Sequence, residues 1–122
     1  MKKILIIDDE EVIRKFLRLF FEKNGYEVVE AVNGVQGVRV FKAQGAELII
    51  TDLVMPEQEG LETIREIVSI SSGTPIIAMS GGGVIDPEIY LKMAKGFGAK
   101  YVFPKPFDKD LLLEKVRELL QE

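Results

Sequence analysis

Five times along the chain a short apolar run gives way to a stretch with helical periodicity, and this alternation restricts the fold more than any other feature. Ile4-Leu5-Ile6-Ile7 is the first strand. From Glu11 to Asn24, apolar residues recur at Val12, Ile13, Phe16, Leu17, Leu19, Phe20 and Phe21, which predicts a helix covered on more than one side, stopped by Asn24-Gly25. Glu27 to Ala31 is the second strand. Asn33-Gly34 is a turn, and Val35, Val38 and Phe41 mark a second helix ending at Gly45. Leu48-Ile49-Ile50 runs into Thr51-Asp52, and Leu61 to Ile70 is the third helix. Pro75 to Met79 is the fourth strand. Asp86 and Pro87 read as N-cap and first position of a fourth helix that runs to about Phe97. Tyr101-Val102-Phe103 is a brief fifth strand. Asp108 caps a last helix with Leu112, Leu113, Val116, Leu119 and Leu120 on its apolar side.

Strands that alternate with helices make an α/β fold, a parallel sheet with helices on both faces. Right-handed crossovers bring every strand's carboxyl end to one edge, where such sheets bind their ligands. Asp8-Asp9, Asp52, Ser80 and Lys105 each follow directly on a strand. The topology therefore gathers them, although nearly a hundred residues separate the first from the last. Taken singly, each has an ordinary explanation. Asp8 and Asp9 suit a helix start, with Glu10 and Glu11 favouring its dipole. Asp52 and Ser80 suit turns. Lys105 is less ordinary, because Pro104 and Pro106 restrain the backbone on either side and aim a side chain that otherwise reaches for water.

Three clustered carboxylates cannot all stay ionised without a cation. Mg²⁺, or Mn²⁺ in its place, takes carboxylate oxygens, keeps waters and leaves room for a phosphate oxygen. A carboxylate can also act as a nucleophile toward phosphorus, with the metal and Lys105 offsetting the charge on the transferring group and Ser80 donating to one of its oxygens. The chain has no cysteine and no histidine, which excludes thiolate chemistry, zinc-thiolate sites and an internal phosphohistidine. Sixteen basic against 20 acidic residues give a net charge of −4, which disfavours direct binding of nucleic acid. The apolar run after Met1-Lys2-Lys3 is too short for membrane insertion, so a cytoplasmic protein is expected. Its 122 residues suit one domain, 1–122.

The strings Ile6-Ile7-Asp8-Asp9-Glu10, Thr51-Asp52-Leu53-Val54-Met55-Pro56 with Gly60, Ala78-Met79-Ser80 and Lys105-Pro106-Phe107 come in this order across the chain. Together they resemble the receiver domain of two-component response regulators. The resemblance implies a doubly wound five-stranded parallel sheet in the flavodoxin-like order 2-1-3-4-5, flanked by five helices. It implies Asp52 as phosphoacceptor. Mg²⁺ would be held by Asp9, Asp52 and the backbone carbonyl of Val54, with Asp8 acting largely through water. Ser80 and Lys105 would contact the phosphoryl group, and the bond before Pro106 would be cis. The implied partners are a histidine kinase or histidine phosphotransfer protein upstream and an effector protein or domain downstream, reached through the surface of the fourth helix, fifth strand and fifth helix.

Two features depart from the family pattern. The position three residues before Lys105, usually a rotating aromatic or His, is Val102, and Tyr101 beside it belongs on the opposite face of the strand. The stretch from Ser80 to Lys105 is also long, with the surplus expected at Gly81-Gly82-Gly83. Switching is therefore expected in the loop from Gly81 to Ile85 and the helix after it, and the lifetime of the phosphorylated form at Val54 and Gly82. Three alternatives compete. One is an aspartyl-phosphate phosphatase or phosphotransferase, which would want Asp-x-Asp at the first strand end. Another is a flavodoxin-like cofactor binder, which would want a phosphate-cradling loop there. The third is a receiver-like interaction module that is never phosphorylated.

Overall fold

A computed structural model describes residues 1–53, 60–80 and 87–122. The elements run β1 (Lys3–Ile7), α1 (Glu11–Lys23), β2 (Glu27–Ala31), α2 (Gly34–Gln44), β3 (Leu48–Asp52), α3 (Gly60–Ile70), β4 (Ile76–Ser80), α4 (Pro87–Phe97), β5 (Tyr101–Pro104) and α5 (Lys109–Leu119). The strands form one sheet in the order β2-β1-β3-β4-β5, and every pairing is parallel.

Residues alternate between the two faces of each strand, so each strand feeds two cores. Leu5 and Ile7 of β1, Ile49 of β3 and Ala78 of β4 pack with Val38 and Phe41 of α2, Ile64 and Ile67 of α3 and Ala94 of α4. Ile4 and Ile6, Leu48 and Ile50, and Ile77 and Met79 face the other way, against Leu17 and Phe21 of α1 and Leu112 and Val116 of α5. The central strands are thus buried on both faces, which is why they read as unbroken apolar runs. β5 obeys the same rule: Val102 packs on the α2–α3–α4 side and Tyr101 on the α1–α5 side.

Local chemistry sets the helix ends. Asn33 caps α2 by accepting from the Gln36 N–H at 2.8 Å, and Gly45 closes it at φ 71°. Asp108 caps α5 through the N–H groups of Asp110 and Leu111. The proposed cap at Asp86 lies outside the described residues. α1 differs from the sequence expectation. Val12 and Leu19 are 82% and 68% exposed, so only one side of the helix is covered. The sheet takes Leu17 and Phe21, and no described element packs on the opposite side. Phe16 instead stacks on Phe20 along the helix, with Phe107 tilted against it. Among the described residues no helix is long and apolar enough to cross a membrane.

Candidate functional site

At the carboxyl edge of the sheet, β1 delivers Asp8, β3 ends on Asp52, β4 ends on Ser80, and β5 leads into Lys105. Their heights are fixed by the parallel register, in which Asp52 lies opposite Met79 and Ser80 opposite Pro104. Two further backbone bonds carry the pairing past the strands: Leu53 N–H donates to the Met79 carbonyl at 2.8 Å, and Lys105 N–H donates to the Ser80 carbonyl at 2.9 Å. The Lys105–Pro106 bond is cis, as the resemblance implies.

The Lys105 ammonium lies at the centre of the site. Its Nζ donates to Asp8 Oδ2 at 3.0 Å, Glu10 Oε1 at 2.9 Å and Asp52 Oδ2 at 3.2 Å. Asp8 is fully buried and Asp52 is 3% exposed. Burial raises the Asp8 carboxyl above the ordinary aspartate value, against the opposing pull of the Glu10 N–H and Lys105. Burial alone would lower Lys105. The hydrogen bond it donates to Glu10 and the charges of Asp52 and Asp8 outweigh it and raise the ammonium above the ordinary lysine value.

The backbone behind Asp8 is braced. Asp8 Oδ1 accepts the Glu10 N–H at 2.8 Å, and the Asp8 N–H donates to the Ala31 carbonyl. The buried Arg14 donates from Nη1 to the Asp8 carbonyl at 2.8 Å, and from Nε to Glu30 Oε1 at 2.8 Å. Arg18 and Lys15 reach the other Glu30 oxygen. Burial would raise the Glu30 carboxyl, but the bonds from Arg18, Arg14 and Lys15 prevail and hold it below the usual glutamate range. A depressed carboxyl contributes stability above its unfolded pKa and loses it as pH falls through the folded value. Glu30→Gln should therefore lower stability by about 2 kcal/mol at pH 7, since it strands Arg14 without a counter-charge. That deficit should shrink as the wild type is titrated below pH ~4. Urea denaturation at pH 7 and pH 3.5 checks both halves.

Asp8, Asp52 and Lys105 are thus brought into contact. Ser80 lies at the same edge, half-buried, on the neighbouring strand. Asp9 is exposed beside them and stands outside the cluster of carboxylate oxygens within 4.8 Å of one another, which among the described residues comprises Asp8, Glu10 and Asp52. Val54, Gly82 and the stretch from Gly81 to Ile85 lie outside the described residues. Glu10, Arg14 and Glu30 were not singled out by the sequence reading. Glu10 reads there as an ordinary first-turn acid. The available signal for the pair was Glu30 itself, a charge near the carboxyl end of β2 after Val28 and Val29.

The donor set is all hard oxygen. Three carboxylates against one ammonium leave a formal charge of −2 among these four groups, which suits a divalent cation such as Mg²⁺. Spare negative charge beside one ammonium, at the end of a parallel sheet, offers complementary charges to a cation and to an anion in one place.

Comparison with known proteins agrees with this architecture. Residues 4–117 match the family model described as the response regulator receiver domain. The chemotaxis protein CheY of Bacillus subtilis is 37% identical over 97% of this chain and 97% of its own length. The transcriptional regulatory protein GlrR of Escherichia coli is 32% identical over 98% of this chain, which spans only 26% of that longer protein. A response regulator receiver domain protein from Clostridium thermocellum superposes with a TM-score of 0.90 at 28% identity, covering 99% of this chain and 95% of its own. Sheet order, the residues at the strand ends and a match across nearly the whole sequence agree: the chain belongs to the receiver domain family of two-component response regulators.

Proposed function

We infer that residues 1–122 form one phosphorylation-dependent switch whose phosphoacceptor is Asp52. The contact that carries this reading is the Lys105 ammonium set between Asp52 and Asp8. An Asp52 carboxylate oxygen attacks phosphorus, the bond from phosphorus to the donor's leaving atom breaks, and the leaving group departs with that electron pair. With no histidine in the chain, the phosphoryl group must come from outside. The fitting donor is a phosphohistidine on a histidine kinase or phosphotransfer protein, or a small acyl phosphate.

Asp8, Asp9, Asp52 and the Val54 carbonyl would hold Mg²⁺, which supplies neutralisation of the charge on the transferring oxygens. The Lys105 ammonium pairs with one phosphoryl oxygen, and the Ser80 hydroxyl donates to another. The acyl phosphate carries about −1.5 to −2 charge in place of the carboxylate's −1, at the edge where β4 and β5 end. Ser80 and Lys105 are then drawn toward it, and both are bonded to the backbone that leads to α4 and α5. That surface is the one offered to an effector. In the resting protein the Tyr101 hydroxyl is bonded to Glu118 of α5 and its ring lies under Lys115, so a rotation of Tyr101 would have to break both contacts.

Incubation with acetyl phosphate tests this. Intact mass should rise by one phosphoryl group with Mg²⁺ present, and stay unchanged with chelator or in Asp52→Asn. Full labelling of that variant, or labelling without any divalent cation, would remove the assignment.

A further inference from the structure

Asp8 is tied down at its N–H, which donates to the Ala31 carbonyl, and at its side chain, which accepts from the Glu10 N–H and from Lys105. None of these bonds fixes the Asp8 carbonyl. Arg14 does, donating from Nη1 at 2.8 Å, and among the described residues it is the one group that does so. A carbonyl's direction sets the plane of its peptide, and with it the place where the chain puts Asp9. Asp9 depends on that plane, because among the described residues its exposed carboxylate has no bonded partner.

Arg14 is held in turn. It is buried, and its Nε donates to Glu30 Oε1 at 2.8 Å. Glu30 precedes Ala31 in β2, so two adjacent residues of one strand hold Asp8. Ala31 does so directly, and Glu30 through the planar guanidinium. Arg18 and Lys15 reach the other Glu30 oxygen, so Glu30 keeps cationic partners when Arg14 is replaced.

We propose that Arg14 is a positioning residue for the metal centre: by fixing the Asp8–Asp9 peptide it holds the Asp9 carboxylate where Mg²⁺ needs it. Charge alone predicts the reverse. Removing a cation from beside the site leaves the site more negative, and Mg²⁺ would bind tighter. Losing a residue that orients metal ligands weakens binding, by about tenfold at the low end. The sign of the change tells the two apart.

The inference rests on the reading of this edge as a metal centre, and its test separates the two. Mg²⁺ is titrated into the full chain well below its melting temperature and followed by NMR. Arg14→Met should bind about tenfold weaker than the wild type. In the metal-free variant the Glu10 amide should also exchange faster, because its bond to Asp8 Oδ1 closes a turn around this peptide. Val116→Ala, a core truncation near the far end of α5, is the destabilised control and should change neither. Arg14→Lys keeps a charge for Glu30 but not the fork, so it should weaken binding too, and it carries the test if Arg14→Met fails to fold. Equal changes in Arg14→Met and Val116→Ala would make Arg14 a packing residue and overturn the proposal. Tighter binding in Arg14→Met, or wild-type binding in Arg14→Lys, would reduce Arg14 to a charge and overturn it equally. A wild type that binds no Mg²⁺ would remove the metal reading of the site, and the positioning role with it.

Discussion

Lys105→Met should unfold more easily than the wild type in the absence of divalent cations, and recover most of the loss when Mg²⁺ is added. Methionine keeps the length and apolar stem of the side chain and removes only the ammonium. Asp8 and Asp52, buried and 3.0 and 3.2 Å from that ammonium, then lose the charge set between them. Taking one partner from a buried ion pair is strongly destabilising, and because Asp8 can escape by protonating we expect the lower end of the range, ~2–3 kcal/mol. Mg²⁺ replaces the lost charge. Its affinity should rise by about tenfold, since it no longer competes with Lys105 for the same oxygens. Beryllofluoride binding should fall despite the tighter metal. Asp9→Ala should show the opposite sign, losing metal affinity with little change in stability, because Asp9 is exposed and outside the buried cluster. Melting curves with and without Mg²⁺, together with metal titrations, test both. Equal metal losses in the two variants would contradict the roles given to them.

Gly60→Ala should be the most damaging small substitution near the site. Gly60 opens α3, and its N–H donates to the Leu53 carbonyl at 2.9 Å. The helix start therefore lies directly on the backbone that follows Asp52. A Cβ at this position would run into the Asp52 carbonyl oxygen and the Leu53 Cα, both main-chain atoms of a fully buried stretch. No side chain can turn aside to make room, so the helix or the strand end must move. We expect a loss of about 3 kcal/mol, or roughly 10 °C in Tm. Phosphoryl uptake should slow by as much as 10²-fold, since a displacement of ~1 Å at the attacking carboxylate is enough for that. Gly96→Ala in α4 is the matched control. Its Cβ meets nothing within 4 Å, and removing glycine from a helix interior should stabilise by ~0.5–1 kcal/mol. Denaturation of the two variants side by side would show opposite signs. A tolerated Gly60→Ala would mean that α3 does not bear on the Asp52–Leu53 backbone as described.

Much of this was legible in the sequence because parallel sheets write themselves in a simple code. β1, β3 and β4 are buried on both faces and appear as nearly continuous apolar runs, and the polar residues that end them mark the carboxyl edge of the sheet. Asp8, Asp52 and Ser80 were placed at that edge in this way, and Lys105 by its restrained position after β5. The opposite facing of Tyr101 and Val102 followed from the two-residue period alone. Four things did not follow. The apolar surplus of α1 looked like coverage on several sides, but hydrophobicity does not report whether a neighbour exists, and Val12 and Leu19 face outward. Glu10 looked like a helix-dipole acid, because its bond to Lys105 is made across 95 residues and has no local signature. The Arg14–Glu30 pair was hidden for the same reason, its members lying on different elements. Gly60 was visible as part of a motif, but the reason for a glycine there is a backbone contact that only packing reveals.

The central claim is that one particular carboxylate, at the end of β3, carries the phosphoryl group. An acyl phosphate is reduced by borohydride, whereas a free carboxylate is not, so the modified residue can be marked permanently. The protein is treated with acetyl phosphate and Mg²⁺, reduced, digested and sequenced by fragmentation. Conversion to homoserine at position 52 alone, absent when Mg²⁺ is withheld, is the expected result. Conversion at Asp8 or Asp9 with Asp52 untouched, or no conversion anywhere under conditions that add a phosphoryl group to the protein, would contradict it.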